Sequence, residues 1–148
     1  MSIWRQADPD PAALDALGRD TLVQHLGITV PAIGEDYLQA TMPVDERTRQ
    51  PFGLLHGGAS VVLAETLGSL AAWLTLADPE HTVAVGLEVN ANHIRAVRSG
   101  TVTGTARPEH LGRSTQVWSI RIEDEQGRLV SVCRLTVALV DRQPRGAA

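Results

Sequence analysis

Gln50-Pro51-Phe52-Gly53-Leu54-Leu55-His56-Gly57-Gly58-Ala59-Ser60-Val61-Val62-Leu63-Ala64-Glu65-Thr66-Leu67-Gly68-Ser69-Leu70-Ala71-Ala72-Trp73 sets the reading of the whole chain. From Gly57 to Ala77 there is no proline and a single charge, Glu65, so an apolar helix of about 21 residues and roughly 30 Å fits. Val61, Val62, Leu63, Leu67, Leu70, Ala72 and Leu74 run most of the way round its cylinder, the pattern of a helix enclosed by protein. A membrane span does not fit, because Ser60, Glu65, Thr66, Ser69 and Thr75 interrupt the run and no basic anchors flank it. The stretch therefore predicts a buried helix with one carboxylate midway. Glutamate is seldom buried without a partner, and an uncompensated buried charge is either costly or neutralised. Glu65 lies more than two turns into the helix, too far for a capping box or for the N-terminal dipole to account for it. It either pairs with something or opens on a cleft.

Outward from this helix the chain reads as strands. Leu26 to Ile33 and Tyr37 to Val44 flank the turn residues Gly34-Glu35-Asp36, and His81 to Val97, Thr101 to Arg107, Ser114 to Glu123 and Leu129 to Val140 follow, with Asp124 to Gly127 as the last turn. Asp10-Pro11 predicts the start of a short leading helix that stops at Gly18, and a second helical turn lies between Asp20 and Gly27. Pro79 closes the long helix. In the strand after it, Val83, Val85, Leu87, Val89, Ala91 and His93 share one parity and are expected to face the core. His93 thus ends an apolar row, where a hydrogen-bonded histidine at a core margin is an adequate reading of the residue by itself. Gly86 has the opposite parity and points to something approaching the backbone closely. The order is α+β, one long helix against an antiparallel sheet broad enough to curl round it, in a single domain of 148 residues.

Composition narrows the function. The net charge of −4 speaks against a nucleic-acid partner, for which a basic face is expected. Against that average, Arg95, Arg98, Arg107 and Arg113 fall between His93 and Arg113 with Glu109 as the one acid. They are either solvated strand residues or a site for an anion. One cysteine, Cys133, leaves no internal disulfide and sits in a strand pattern as an inert thiol. No C-x-x-C or H-x-x-x-H spacing offers a metal site, and the polar opening Met-Ser-Ile-Trp-Arg-Gln-Ala-Asp does not resemble a secretory signal, so a cytoplasmic setting is expected. There is no G-x-S-x-G elbow and no glycine-rich phosphate or dinucleotide loop.

What remains is a helix N-terminus and an interior acid. His56-Gly57-Gly58 allows close approach to the first backbone N–H groups, which point outward at the positive end. They can polarise a carbonyl and stabilise the oxyanion formed on attack, with a side-chain N–H from Gln50 beside them. Glu65 would activate water or attack directly. Yet Gly57 and Glu65 are separated by ~12 Å along the helix axis, so action on one bond is met most simply by two chains, a dimer with two equivalent interface sites. Ser69, one turn beyond Glu65 on the same face, either orients water or is a small packing residue.

These residues carry a resemblance. The run from Gln50 to Glu65, Val85-Gly86-Leu87-Glu88-Val89-Asn90-Ala91-Asn92-His93-Ile94-Arg95 and His110-Leu111-Gly112-Arg113-Ser114-Thr115-Gln116-Val117-Trp118 closely resemble the hotdog-fold acyl-CoA thioesterases, over nearly the whole chain. The resemblance implies a long central helix wrapped by a curved antiparallel sheet. It implies Glu65 as catalytic base or nucleophile and Gly57 as donor to the thioester oxygen, with Gln50 and His56 beside it and Ser69 and His93 lining the acyl and thiol end. Gly86, His93 to Ala96 (His93, Ile94, Arg95, Ala96) and His110 to Thr115 would hold coenzyme A, which is substrate and not cofactor; no metal or redox group is expected. A dimer of dimers is implied as the assembly. Alternatives are a carrier-protein thioesterase, a hotdog hydratase or dehydratase, and a non-catalytic acyl-CoA binding module.

Overall fold

A computed structural model describes residues 2–6 and 9–142. Two short helices, α1 (Pro11–Leu17) and α2 (Leu22–His25), lead into β1 (Thr29–Ile33) and β2 (Leu38–Pro43). The long helix α3 (Gly57–Leu74) follows, and then β3 (Thr82–His93), β4 (Thr101–Leu111), β5 (Thr115–Glu123) and β6 (Leu129–Asp141). Asp10 caps α1 by accepting from the Ala12 N–H, as the Asp-Pro start predicts. All six strands join one antiparallel sheet in the order β1-β2-β4-β5-β6-β3. Strand β3 is therefore an edge, with 12 residues paired on one side only.

The inner face of the sheet follows strict alternation. Leu38, Ala40 and Met42 of β2, Val102 and Ala106 of β4, Trp118, Ile120 and Ile122 of β5, and Cys133, Leu135 and Val137 of β6 are all fully or almost fully buried. They close on Leu63, Ala64, Leu67 and Ala71 of α3. Each large side chain so buried is worth about 2 kcal/mol of transfer free energy. Gly68 brings the helix close: a β-carbon there would stand 2.6 Å from Leu135 Cδ2.

Two expectations are corrected here. The helix is not enclosed on every side. Its buried residues, Ala59, Ser60, Leu63, Ala64, Leu67, Gly68, Ala71, Ala72 and Leu74, fall at the four-residue spacing of one face, because a single sheet covers only one side of a cylinder. Glu65 lies on the other side and is exposed in the single chain. The helix is long and apolar enough to cross a membrane, but half of it is buried against the sheet. It also ends at Leu74, earlier than the Pro79 stop predicts. Its last carbonyls are already taken, Leu74 O by the N–H of Arg5 at 2.9 Å and Trp73 O by the Gln6 amide at 3.2 Å.

The second correction concerns β3. Its register against β6 shifts between Gly86 and Glu88, where Gly86 faces Val137 and Glu88 faces Thr136. Such a bulge reverses the facing of side chains along a strand. Val89 and Ala91 pack on the core as alternation predicts, whereas before the bulge it is Ala84 that does so. Val85 and Leu87 are 44 % and 61 % exposed, so they line the free edge region instead of the core.

Candidate functional site

The loop before α3 is built to hold a helix end. An isolated bridge joins Arg49 to Leu55, the Gln50 N–H donates to Leu54 O at 2.8 Å and the Gly53 N–H to Gln50 O at 2.9 Å, with Gly53 at φ +79 where a glycine is favoured. The Phe52 N–H donates to Gln50 Oε1. That contact occupies the amide oxygen, which leaves the Gln50 NH₂ group to point elsewhere. His56 is the N-cap: its Nδ1 accepts from the Gly58 N–H at 2.8 Å, and its carbonyl takes the N–H groups of Ala59 and Ser60. Its Nδ1 is thus committed to the cap. The Gly57 N–H has no hydrogen-bond partner among the described residues.

A cavity of about 290 Å³ opens at this helix end, lined by Gln50, Gly57, Ser60, His93, Arg95 and Val130 among others. His93 closes on the helix, since a β-carbon at Gly57 would lie 2.7 Å from His93 Nε2. On its other side His93 Nδ1 is 3.4 Å from the hydroxyl of Ser131, which also donates to Asn92 O at 3.2 Å. Ile94 and Ala96 complete the rim, held as the N–H groups of Ile94 and Arg95 donate to Val130 O.

Glu65 stands apart from that cavity, lying against the bulge in β3. A β-carbon at Gly86 would be 2.8 Å from Glu65 Oε1, so the close approach expected at Gly86 is real and the approaching group is the carboxylate. Ser69, one turn on, is half-buried.

The third group is farther still. His93 pairs with Ser131 on β6 and Thr115 pairs with Ala138 on the same strand, seven residues or about 23 Å away. Leu111, Gly112 and Arg113 line a cavity of about 670 Å³ together with Arg5, Thr75, Thr82 and the buried Gln116. Gly112 is needed for the turn itself, because a β-carbon there would meet Thr115 O at 2.7 Å. His110, Ser114 and Thr115 are exposed at the same end. One chain therefore unites Gln50, Gly57 and His93 to Ala96, and separately Glu65 with Gly86, and separately again the segment from His110 to Thr115.

The four arginines of the basic segment do not form one patch. Arg95 lies at the first cavity and Arg113 at the other. Arg107 is taken by Asp36 at 2.6 Å and covers the Tyr37 ring at 4.9 Å from its centroid. Cys133 is the buried, inert thiol expected, its pKa pushed up by burial. Among the described residues no cluster of His, Cys, Asp and Glu is arranged to hold a metal ion. Ser60 and Ser131 were not singled out by sequence; the signal available was that Ser60 is three residues from Gly57, one turn along the same face.

Residues 52–131 match the family model described as the thioesterase superfamily. The chain belongs to that superfamily. This thioesterase has the hotdog fold, a six-stranded antiparallel sheet with one long helix packed on its inner face. It is 55 % identical over 128 residues to the 1,4-dihydroxy-2-naphthoyl-CoA hydrolase of Escherichia coli K12, covering 86 % of this chain and 93 % of the relative. Over 128 residues it is 56 % identical to the proofreading thioesterase EntH of Cronobacter turicensis, covering 86 % and 92 %. The crystal structure of a mutant thioesterase from Pseudomonas aeruginosa superposes on it with a TM-score of 0.93 at 52 % identity, covering 95 % of this chain and all of that one.

Proposed function

We propose that this thioesterase hydrolyses acyl-CoA or aroyl-CoA esters to the acid and free coenzyme A, at sites shared between two copies of the chain. The observation that carries the reading is the position of Glu65, an exposed carboxylate on the uncovered face of α3, beside a free strand edge flanked by the exposed apolar residues Val85 and Leu87. An unpaired edge of that length is a template for strand addition. Antiparallel pairing of β3 with its own copy across a twofold axis is isologous. It sets the His93 end of one strand against the Thr82 end of the other, beside the partner's cavity formed by Leu111 to Arg113. Pairing would also cover Glu65 and bring it toward the partner's helix N-terminus. In such a site the Gly57 N–H and the Gln50 amide polarise the thioester carbonyl, and Glu65 of the other copy attacks or activates water, which Ser69 orients. Gly86, His93 to Ala96 and His110 to Thr115 hold the coenzyme A portion. The chemistry needs no metal and no redox cofactor. The family resemblance adds a second pairing, a dimer of dimers.

Thiol release from a panel of aroyl-, short- and long-chain CoA esters, with one carrier-protein thioester, tests the reading and identifies the substrate. Glu65→Gln should lower kcat by at least about 10³-fold while circular dichroism and melting stay near wild type. Near-normal turnover by the folded variant refutes the assignment.

A further inference from the structure

Ser60 is the one polar side chain in the buried stripe of α3, between Ala59, Leu63 and Ala64, and only 1 % of it is exposed. A serine hydroxyl in a helix ordinarily bonds back to a carbonyl of the preceding turn. Thr75, the C-cap at the far end of the same helix, does so, donating to Ala72 O at 2.7 Å. Ser60 does not: its N–H goes to His56 O, while its hydroxyl has no hydrogen-bond partner among the described residues. Buried polar groups are rarely left so. No fully enclosed side-chain nitrogen or oxygen lacks a partner among the described residues. The little of Ser60 that remains exposed must therefore include its oxygen, which opens on the 290 Å³ cavity that Ser60 lines with Gly57 and His93.

From this we infer that Ser60 is a further catalytic residue of the thioesterase, its hydroxyl donating to the same thioester oxygen as the Gly57 N–H. The inference rests on the function proposed above. Positions three apart on a helix have β-carbons about 5–6 Å from one another, so one oxygen atom can lie within hydrogen-bond reach of both donors. In the planar ester the carbonyl oxygen has two lone pairs, shared among the Gly57 N–H, the Gln50 amide and the Ser60 O–H. When the carbon becomes tetrahedral the oxygen carries a negative charge and a third lone pair, so that each of the three donors can meet one. Hydrogen bonds to a charged oxygen are roughly twice as strong as neutral ones, so the hydroxyl contributes more to the transition state than to substrate binding. The Ser60 proton stays on its oxygen throughout, and no covalent bond to Ser60 forms.

The test compares the wild type with Ser60→Ala and with Ser60→Cys, which keeps the size but weakens the donor, using the CoA ester that the wild type hydrolyses fastest. Ser60→Ala should show a kcat about 100-fold lower with KM changed less than about threefold, and Ser60→Cys should fall between. In the non-hydrolysing Glu65→Gln background, the carbonyl stretch of the same bound ester, labelled with carbon-13, should shift to lower frequency. Adding Ser60→Ala should remove part of that shift, a change that altered packing alone does not make. A kcat within about threefold of wild type, a change confined to KM, or an unaltered carbonyl frequency overturns the role of Ser60 and leaves the thioesterase reading intact. If the wild type releases thiol from no ester in the panel, both fail.

Discussion

A methyl group at position 86 would stand 2.8 Å from Glu65 Oε1, and the flexible end of the glutamate would have to move. Gly86→Ala should therefore leave the fold intact but lower kcat about 10- to 100-fold, since misplacing a reacting group by about 1 Å is enough for that. Steady-state kinetics beside a melting curve checks it, and unchanged kcat would show that the carboxylate works from a different position. At this scale much was legible. A lone charge in a long apolar run marks Glu65, and a glycine inside a strand marks Gly86. What sequence could not separate was role from neighbourhood. His56 stands next to Gly57 in the chain, yet its ring is turned to the Gly58 N–H as a cap. Ser60 looks like any small residue in a packed stripe until the absence of its usual bond to the preceding turn can be seen.

The elements were legible wherever one periodicity runs unbroken. Strands β4, β5 and β6 begin within a residue of their expected starts, because their alternation is regular and glycine or acidic turns bound them. Strand β3 was misread over half its length, since a bulge inserts one residue without any mark that alternation could register. The turn between β5 and β6 shows how firmly such boundaries can be held. Asp124 accepts from the N–H groups of Gln126 and Arg128 at 3.0 and 2.9 Å and from Arg128 Nε at 2.7 Å. Burial opposes ionisation of Asp124, but the bonds from Arg128 and Gln126 outweigh it and hold the carboxyl below its usual 3.8. A carboxyl with a lowered folded pKa contributes stability that is complete above the unfolded value and is lost as pH falls through the folded one. Asp124→Asn should therefore be less stable than wild type at neutral pH, by an amount that shrinks below about pH 4. Urea midpoints across that range measure the difference, and a gap independent of pH would remove Asp124 from the acid response.

For the whole molecule the decisive feature is separation. One chain keeps Gly57, Glu65 and the segment from His110 to Thr115 in three places, and an antiparallel pair about β3 would bring the places of two chains together. Mixing Glu65→Ala subunits with Gly57→Val subunits under exchange should restore about a quarter of the wild-type rate. Random assortment makes half the dimers mixed, and one of the two sites in each is whole. Native mass spectrometry, which resolves the mixed dimer by mass, must show that exchange has occurred, and silence in the exchanged mixture would rule out shared sites. Glu65 is exposed in the single chain, so the enclosure that its apolar neighbours in the sequence predict would have to come from another copy. The leading segment offers a different use. Trp4 stacks on Trp118 with ring centroids 6.3 Å apart and planes 6° from parallel, while its Nε1 donates to Gly34 O at 2.6 Å. The indole of residue 4 is thereby clasped to one at the middle of the sheet, so intrinsic fluorescence carries a native readout of whether Trp4 is seated. A substitution at Gly34 or Trp118 that releases this indole would be visible in the emission spectrum before any assay is run.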